Sequence, residues 1–406
     1  MTEWKTYKIG DIIDEIAMGP FGSNIKVDNF IDFGVPVLNG ANLQGFKLKE
    51  ESFNYVSSQK ADSLGRANAY RGDIVITHRG TLGQIVYIPN DSKFDRYIIS
   101  QSQFRVRLNS QYVLPEYFVY YFHTRLGQHK LLMNASQVGV PALARPTSTF
   151  KEITIVLPSL EEQRRIAGIL SAIDDKIENN RRINTNLELQ AQALFDNLMS
   201  NSNLEYKLIA DIDHIIETGR RPKGGVANIT SGVPSIGAEN IKGLGKYDYS
   251  KTKYITAEFA ETLKKGIIKG YELLIYKDGG KPGYFIPNFS IFGEGFPYVN
   301  MTLNEHVFLL DFGNKGYNFF AYFYMQTEEV MKYLNAQGSK AAIPGINRND
   351  VENISIPTIE NEAVKEFCER VEPIISAILT NAKESSRLAT LRDTLLPKLM
   401  NGEIKL

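Results

Sequence analysis

The chain has one cysteine, no charge excess and no long apolar run, and each shortage narrows what it can be. Cys368 is the only cysteine in 406 residues. An intrachain disulfide and a zinc–thiolate cluster are therefore excluded, and the usage fits a reducing cytoplasm. No stretch approaches the roughly 18 uncharged apolar residues of a membrane span. The opening Met1-Thr2-Glu3-Trp4-Lys5 lacks the basic patch and apolar run of a secretory signal. A cytoplasmic location is the expectation. Forty-six Lys and Arg balance forty-six Asp and Glu, so no general positive field coats the chain. A nucleic-acid reader with this composition needs local basic loops or a basic partner.

Catalytic signatures are missing as well. There is no phosphate-binding Gly-x-x-x-x-Gly-Lys-Ser/Thr loop, no His-Glu-x-x-His zinc site and no nucleophile elbow. Nor is there an Asn/Asp-Pro-Pro-Tyr run for holding a base during amino-methylation. The five histidines, His78, His123, His129, His214 and His306, are scattered, and Cys368 reads as packed rather than reactive. The acidic pairs Asp174-Asp175 and Glu328-Glu329 lie in helical surroundings, where a solvated face explains them. A binding protein that holds no cofactor or metal, and no chemistry of its own, is the expectation.

What the chain does have is repetition. Gly34-Val35-Pro36-Val37-Leu38 recurs as Gly232-Val233-Pro234-Ser235-Ile236 at an offset of 198, and Asn42-Leu43 meets Asn240-Ile241 at the same offset. Gly72 before Ile74-Val75-Ile76 matches Gly270 before Leu273-Leu274-Ile275, and Ile88-Pro89 matches Ile286-Pro287. One offset in one order marks a tandem duplication. Within each copy, short β-rich runs between Gly, Asn and Pro turns precede an aromatic helical stretch, Pro115–Phe122 or Tyr317–Phe323. This predicts an α+β fold, with the aromatic stripes in the core.

After Pro158 the pattern changes. Ser159-Leu160-Glu161-Glu162 has capping-box spacing, and a seam with steps of four and three follows: Ile166, Leu170, Ile173, Ile177, Asn180, Asn184, Leu187, Ala191, Leu194 and Leu198. A second seam lies 201 residues on: Phe367, Val371, Ile374, Ile378, Asn381, Ser385, Leu388, Arg392, Leu395 and Leu399. A 3.5-residue period this long argues for a coiled coil. Each helix is about 48 Å long at roughly 1.5 Å per residue. The obvious partner of each is the other, packed antiparallel as a spacer between two heads. Asn180 and Asn381 occupy the same place in the repeat, as do Asn184 and Ser385; such polar steps set register. Pro373 should kink or delay the second helix.

Glycine-rich polar loops recur at matching points of the two heads and supply the candidate binding residues. In the first head these are Phe21, Gly22, Ser23, Asn24 and Lys26, then Asn39 and Asn42, then His78, Arg79 and Thr81, with Gln101 and Arg145. In the second they are Arg220, Arg221 and Lys223, then Glu239 and Asn240, then Tyr276, Lys277 and Lys281, with Lys340 and Asn347. Arg and Lys suit phosphates, Arg suits guanine, Asn suits adenine and Glu suits the cytosine amino group. One scaffold carrying different side chains is what a reader of two unlike half-sites needs. A two-headed protein-binding scaffold that never touches DNA is the competing class.

At these residues the chain resembles the specificity subunit of type I restriction–modification enzymes. The motifs are Gly19-Pro20-Phe21-Gly22-Ser23, Val233 to Ile241, Tyr276-Lys277-Asp278-Gly279, Leu157-Pro158-Ser159-Leu160-Glu161-Glu162-Gln163-Arg164-Arg165-Ile166, and Leu395 to Gly402. The resemblance covers essentially the whole chain. It implies two similar globular target-recognition domains, residues 1–158 and 203–357, separated by two long antiparallel helices forming a coiled coil, residues 159–202 and 358–406. It implies a non-catalytic subunit reading a split, asymmetric double-stranded DNA sequence, one half-site per domain. Two methyltransferase subunits and restriction/translocase subunits would be its partners. S-adenosylmethionine, ATP and magnesium would belong to those partners, and this chain would hold no cofactor. The second copy departs at Thr358 to Val364, where the Glu-Gln-Arg-Arg-Ile run is lost and a differently shaped docking surface is implied.

Overall fold

The computed structural model describes residues 4–136, 139–201, 203–279, 283–339 and 344–406. It divides into two compact units, 1–174 with 390–406, and 175–389.

The first unit is built on a four-stranded antiparallel sheet in the order Ile13–Met18, Gln103–Leu108, Ile74–Thr77, Ile85–Tyr87. Its strands are short runs of Ile and Val closed off by Gly and Asn turns, the composition that favours a pleated, half-buried surface. A five-stranded sheet leans on this one, in the order Phe30–Ile31, Asn54–Val56, Val35–Val37, Arg96–Ile98, Asn68–Tyr70. One of its pairings, Val37 with Ile98, is parallel. A two-stranded ribbon of Lys5–Lys8 and Thr154–Leu157 closes the head. Tyr117, Phe118, Tyr120 and Phe122 from the helix Pro115–His123 fill the core with Ile74, Ile76 and Phe104. The aromatic stripe is core, as its spacing predicts.

The second unit repeats this plan. Ile215–Thr218, Val307–Asp311, Leu273–Tyr276 and Phe289–Ile291 form a four-stranded sheet in the corresponding order. Lys253–Ile255, Val233–Ile236 and Thr302–Leu303 form the companion sheet, with the last pair parallel. Tyr206–Leu208 and Ser355–Pro357 make the closing ribbon. Among the described residues the companion sheet has three strands where the first unit has five. The duplicated frame is thus kept in the central sheet, and the copies diverge around it.

Both long helices form. The central helix spans Leu160–Asn201 and the C-terminal helix Glu362–Met400. Ser159 Oγ accepts the Glu162 amide at 3.3 Å, so Ser159 is the cap its spacing predicts. Every seam position of both helices is buried or half-buried. In the first unit Ile166, Ala167 and Leu170 share the head's core with Leu396, Leu399 and Met400. In the second, Ala191, Phe195 and Leu198 share the core with Val364, Phe367, Val371 and Ile375. Each head is therefore completed by the beginning of one helix and the end of the other. The two helices run antiparallel within each unit, as Asp174 with Arg392 shows in the first and Asn180 with Ser385 in the second.

Two expectations are corrected. The delay expected at Pro373 does not occur, because the C-terminal helix begins before it and continues through it. Pro373 is on the exposed side, while Val371 and Ile375 on either side of it are fully buried. That apolar anchorage outweighs one missing backbone hydrogen bond. Asp174 is not on a solvated face: it accepts the Tyr120 hydroxyl at 2.5 Å and pairs with Arg392 at 2.8 Å. The Arg392 guanidinium also lies 4.9 Å from the centre of the Phe46 ring.

Candidate nucleic-acid interface

In each head the candidate loops converge on one end of the central sheet. The strand Ile13–Met18 leaves the first sheet at Gly19, whose backbone packs so closely that an added Cβ would sit 1.9 Å from Ser100 O. Gly219 leaves the second sheet in the same way, 1.6 Å from Leu303 O on the same construction. Only glycine allows this approach, so the chain is steered across the strand ends before the variable loop begins.

The next segment of the corner lies one strand further in. The His78 amide donates to Ser102 O at 2.8 Å, as the Lys277 amide donates to His306 O at 3.0 Å. A late loop then pairs with it. Arg79 bridges Ala142 and the Leu143 amide donates to His78 O; Asp278 bridges Gly345 and the Ile346 amide donates to Lys277 O. The same backbone frame therefore presents Phe21, His78, Arg79 and Gln101 in one head and Arg221, Lys277, Asp278, Glu305 and His306 in the other.

In the first head Phe21 is 84% exposed, and Ser23, Asn24, Lys26, Arg79, Thr81, Gln101 and Arg145 are exposed as well. Gly22 lies against the end of the Gln101 side chain. His78 Nε2 is 3.1 Å from Gln101 O, and burial holds the imidazole below its ordinary pKa. Arg145 starts the helix Pro146–Glu152 in a left-handed conformation, φ 47°. The Gly40 loop is tied in through Gln84, which donates to Gly40 O and accepts from Thr77 Oγ1. Asn39 and Asn42 serve this loop. Asn39 Oδ1 accepts the Ala41 amide and Nδ2 donates to Ser52 O. Asn42 is 1% exposed and spends its amide on Lys49 O, Glu51 O and the Asn39 amide. It has no group left for a base.

In the second head Arg220 is exposed, 5.4 Å from the Phe259 ring centre, and Lys223 is exposed. Glu239 pairs with Lys253 at 2.6 Å; burial works to raise its pKa, but the ion pair holds it below the ordinary carboxylate range. Asn240 is fully buried and its Oδ1 holds the Gly237 amide, so it too shapes its own loop. Tyr276 stacks on Phe285 with ring centres 5.5 Å apart. Asn347 caps the helix Arg348–Glu352. Lys281 and Lys340 lie outside the described residues.

Glu305 and His306 were not among the sequence candidates although they stand at this corner, beside Asp278 of the Tyr276-Lys277-Asp278-Gly279 motif. Nothing in the linear pattern distinguishes Glu305-His306 from an ordinary strand-entry turn; only pairing with the Gly219 loop brings them into the site. Gln163, taken from the resemblance as part of a docking motif, is fully buried. It accepts the Leu114 amide and donates to Tyr112 O and Pro158 O, so it bolts the helix start to the head.

Two copies of one frame, each presenting a different polar corner and joined to paired long helices, define a two-headed recognition subunit. Residues 1–189 match the family described as the type I restriction modification DNA specificity domain. The chain is 24% identical over 427 residues to the type I restriction enzyme MjaIX specificity subunit of Methanocaldococcus jannaschii, covering 99% of this chain and 94% of that one. It is 23% identical over 487 residues to the HindI specificity subunit of Haemophilus influenzae, across the full length of both. The S subunit of a type I restriction–modification system from M. genitalium has the same fold, with a TM-score of 0.61 at 14% identity over 98% of this chain and 96% of that one. Residues 1–189 thus carry the type I restriction modification DNA specificity domain, the chain is similar over its length to type I specificity subunits, and its class of function is DNA sequence recognition.

Proposed function

We propose that the chain reads a bipartite, asymmetric double-stranded DNA sequence, one half-site per head, and has no catalytic activity of its own. The observation that carries this is the repeated corner. Backbone bonds at His78 and Lys277 are equivalent, while the side chains delivered there are an exposed Phe and Arg79 in one head and a clamped Arg221 in the other. Equal frames with unequal side chains suit two unlike half-sites. On this reading Arg145, Arg79, Lys26 and Lys223 are phosphate contacts, and Phe21 and Arg221 face bases. Methyltransferase and restriction subunits are the partners that supply base methylation and cleavage, with S-adenosylmethionine, ATP and magnesium bound on them. The family resemblance supports these assignments, as does the net charge of zero, which leaves much of the DNA affinity to a basic partner. No helix among the described residues is long and apolar enough to cross a membrane, and a cytoplasmic location goes with DNA as substrate.

The test is co-expression of the chain with its methyltransferase partner, followed by genome-wide mapping of methylated positions. One split motif with a fixed gap is the expected result. A contiguous motif, or no motif, overturns the proposal.

A further inference from the structure

The second head carries a chain of polar side chains ending on Arg221. Arg221 Nε donates to Glu305 Oε1, and Nη2 lies 2.8 Å from His306 Nε2. His306 Nδ1 is bonded in turn to Asp278, whose other oxygen accepts from Lys277 Nζ at 2.8 Å. The His306 amide is pinned by Asn304 Oδ1 at 2.8 Å. Arg221 only donates, so its contact uses His306 Nε2 as acceptor, with the Nδ1 proton toward Asp278. Glu305 Oε1 also lies 3.3 Å from Nε2. Each member thereby fixes the next.

This arrangement leaves Nη1 of the guanidinium unspent. Nε and Nη2 both meet Glu305 and Nη2 also meets His306, while Nη1 has no partner among the described residues. Nη1 keeps N–H donors in the guanidinium plane, and the clamped half fixes their direction. Charge decides which acceptors. Arg221 is ion-paired with Glu305, and Lys277 with Asp278. A phosphate gains little from a cation already paired, because its attraction is mostly Coulombic. A base edge recognised by direction rather than by charge loses nothing. O6 and N7 of guanine are acceptors of that kind.

We propose that Arg221 reads a guanine in the half-site of the second head, with Glu305, His306 and Asp278 as positioning residues that hold its guanidinium at a fixed angle. In the first head the residue two places past the equivalent glycine is Phe21, whose side chain has no donor, so this guanine requirement belongs to one half-site alone. The proposal rests on the DNA-reading function above.

The experiment uses the full chain with its methyltransferase partner and a duplex library randomised at each target position in turn. Arg221→Gln should abolish the preference for guanine at one position of one half-site, by about tenfold to a hundredfold, with the other half-site and the thermal unfolding curve unchanged. Arg221→Lys, which keeps charge but loses the clamped planar guanidinium, should fail at the same position. His306→Leu should weaken the same preference, and His306→Gln, which keeps an acceptor near Nε2, should restore part of it. Equal weakening on every sequence, with a salt slope reduced by about one, would identify a phosphate contact and overturn the proposal, as would an unchanged target. If the unaltered chain shows no split target, the DNA-reading function fails first and this assignment with it.

Discussion

Asn184 Oδ1 accepts a hydrogen bond from Asn381 Nδ2 at 2.8 Å, joining the two long helices through a pair of half-buried amides. One turn away Asn180 Nδ2 donates to Ser385 Oγ at 3.2 Å and to Glu384 at 2.8 Å. Asn381 is the repeat copy of Asn180, and Ser385 that of Asn184. The two bonds are therefore one interaction made twice with the partners exchanged, as an antiparallel pair of duplicated helices requires. Asn184 Nδ2 also reaches Ile378 O at 3.0 Å, which uses its second group.

This pairing predicts a non-additive mutational result. Asn381→Leu leaves Asn184 Oδ1 without its partner and should cost about 1–3 kcal/mol. Asn184→Leu with Asn381→Leu should recover much of that loss. A coupling energy of roughly 1 kcal/mol in a urea-unfolding double-mutant cycle is the expected reading; additive losses would show that the amides face water.

Asp73 is fully buried in the first head between Arg105, at 3.2 Å, and Arg107, at 2.8 Å, while Arg105 also meets Glu15 at 2.8 Å. Asp73→Leu would leave the buried Arg105 guanidinium with only Glu15 and Arg66 O as partners. A loss of about 3–5 kcal/mol is expected, read as a lowered midpoint of the first head's unfolding transition.

Glu15 adds a pH dependence to the same network. Burial works to raise its pKa, but hydrogen bonds and charge from Arg105 and Arg66 win and hold it below the ordinary 4.5. A carboxylate depressed in the folded state contributes stability that is present above its unfolded pKa and lost as pH falls through the folded one. The first head of the native chain should therefore lose stability as pH falls below about 4.5, and Glu15→Gln should flatten that fall. Thermal melts from pH 7 downward check both.

Cys368 packs against Gly316 in the second head's core, and burial pushes its thiol up to about 12. It should resist alkylation at pH 8 in the folded chain and react fully in denaturant, since the thiolate is the reactive form. Rapid stoichiometric labelling of the native chain would contradict the packing. Gly316→Ala tests it from the other side: its Cβ would fall 2.8 Å from Cys368 Cβ, so a loss of about 1–3 kcal/mol is expected.

Gly219→Ala should damage the second corner alone. Its Cβ would overlap Leu303 O, so the Gly219 loop must move off the strand ends and take Arg221 with it. Recognition of one half-site should collapse while the other persists, measured by binding to duplexes carrying a single intact half-site.

The sequence by itself determined the features written in local periodicity. The 3.5-residue seam specifies two helices and the face each buries, because apolar spacing along one helix is independent of what lies far away. A near-constant offset of 198 to 201 specifies that the heads share a frame, and glycines at the strand exits mark where that frame meets its loops. The roles of individual polar side chains were decided only by the tertiary structure. Asn42 and Asn240 look like readers in a linear string, yet both are buried and hold their own loops in shape. Asp174 looks solvated, yet it anchors Arg392 from the far end of the chain. Arg221 stands 84 residues from Glu305, which clamps it. A polar group's function depends on which partners satisfy it, and those partners are chosen by long-range strand and helix pairing rather than by neighbours in the chain.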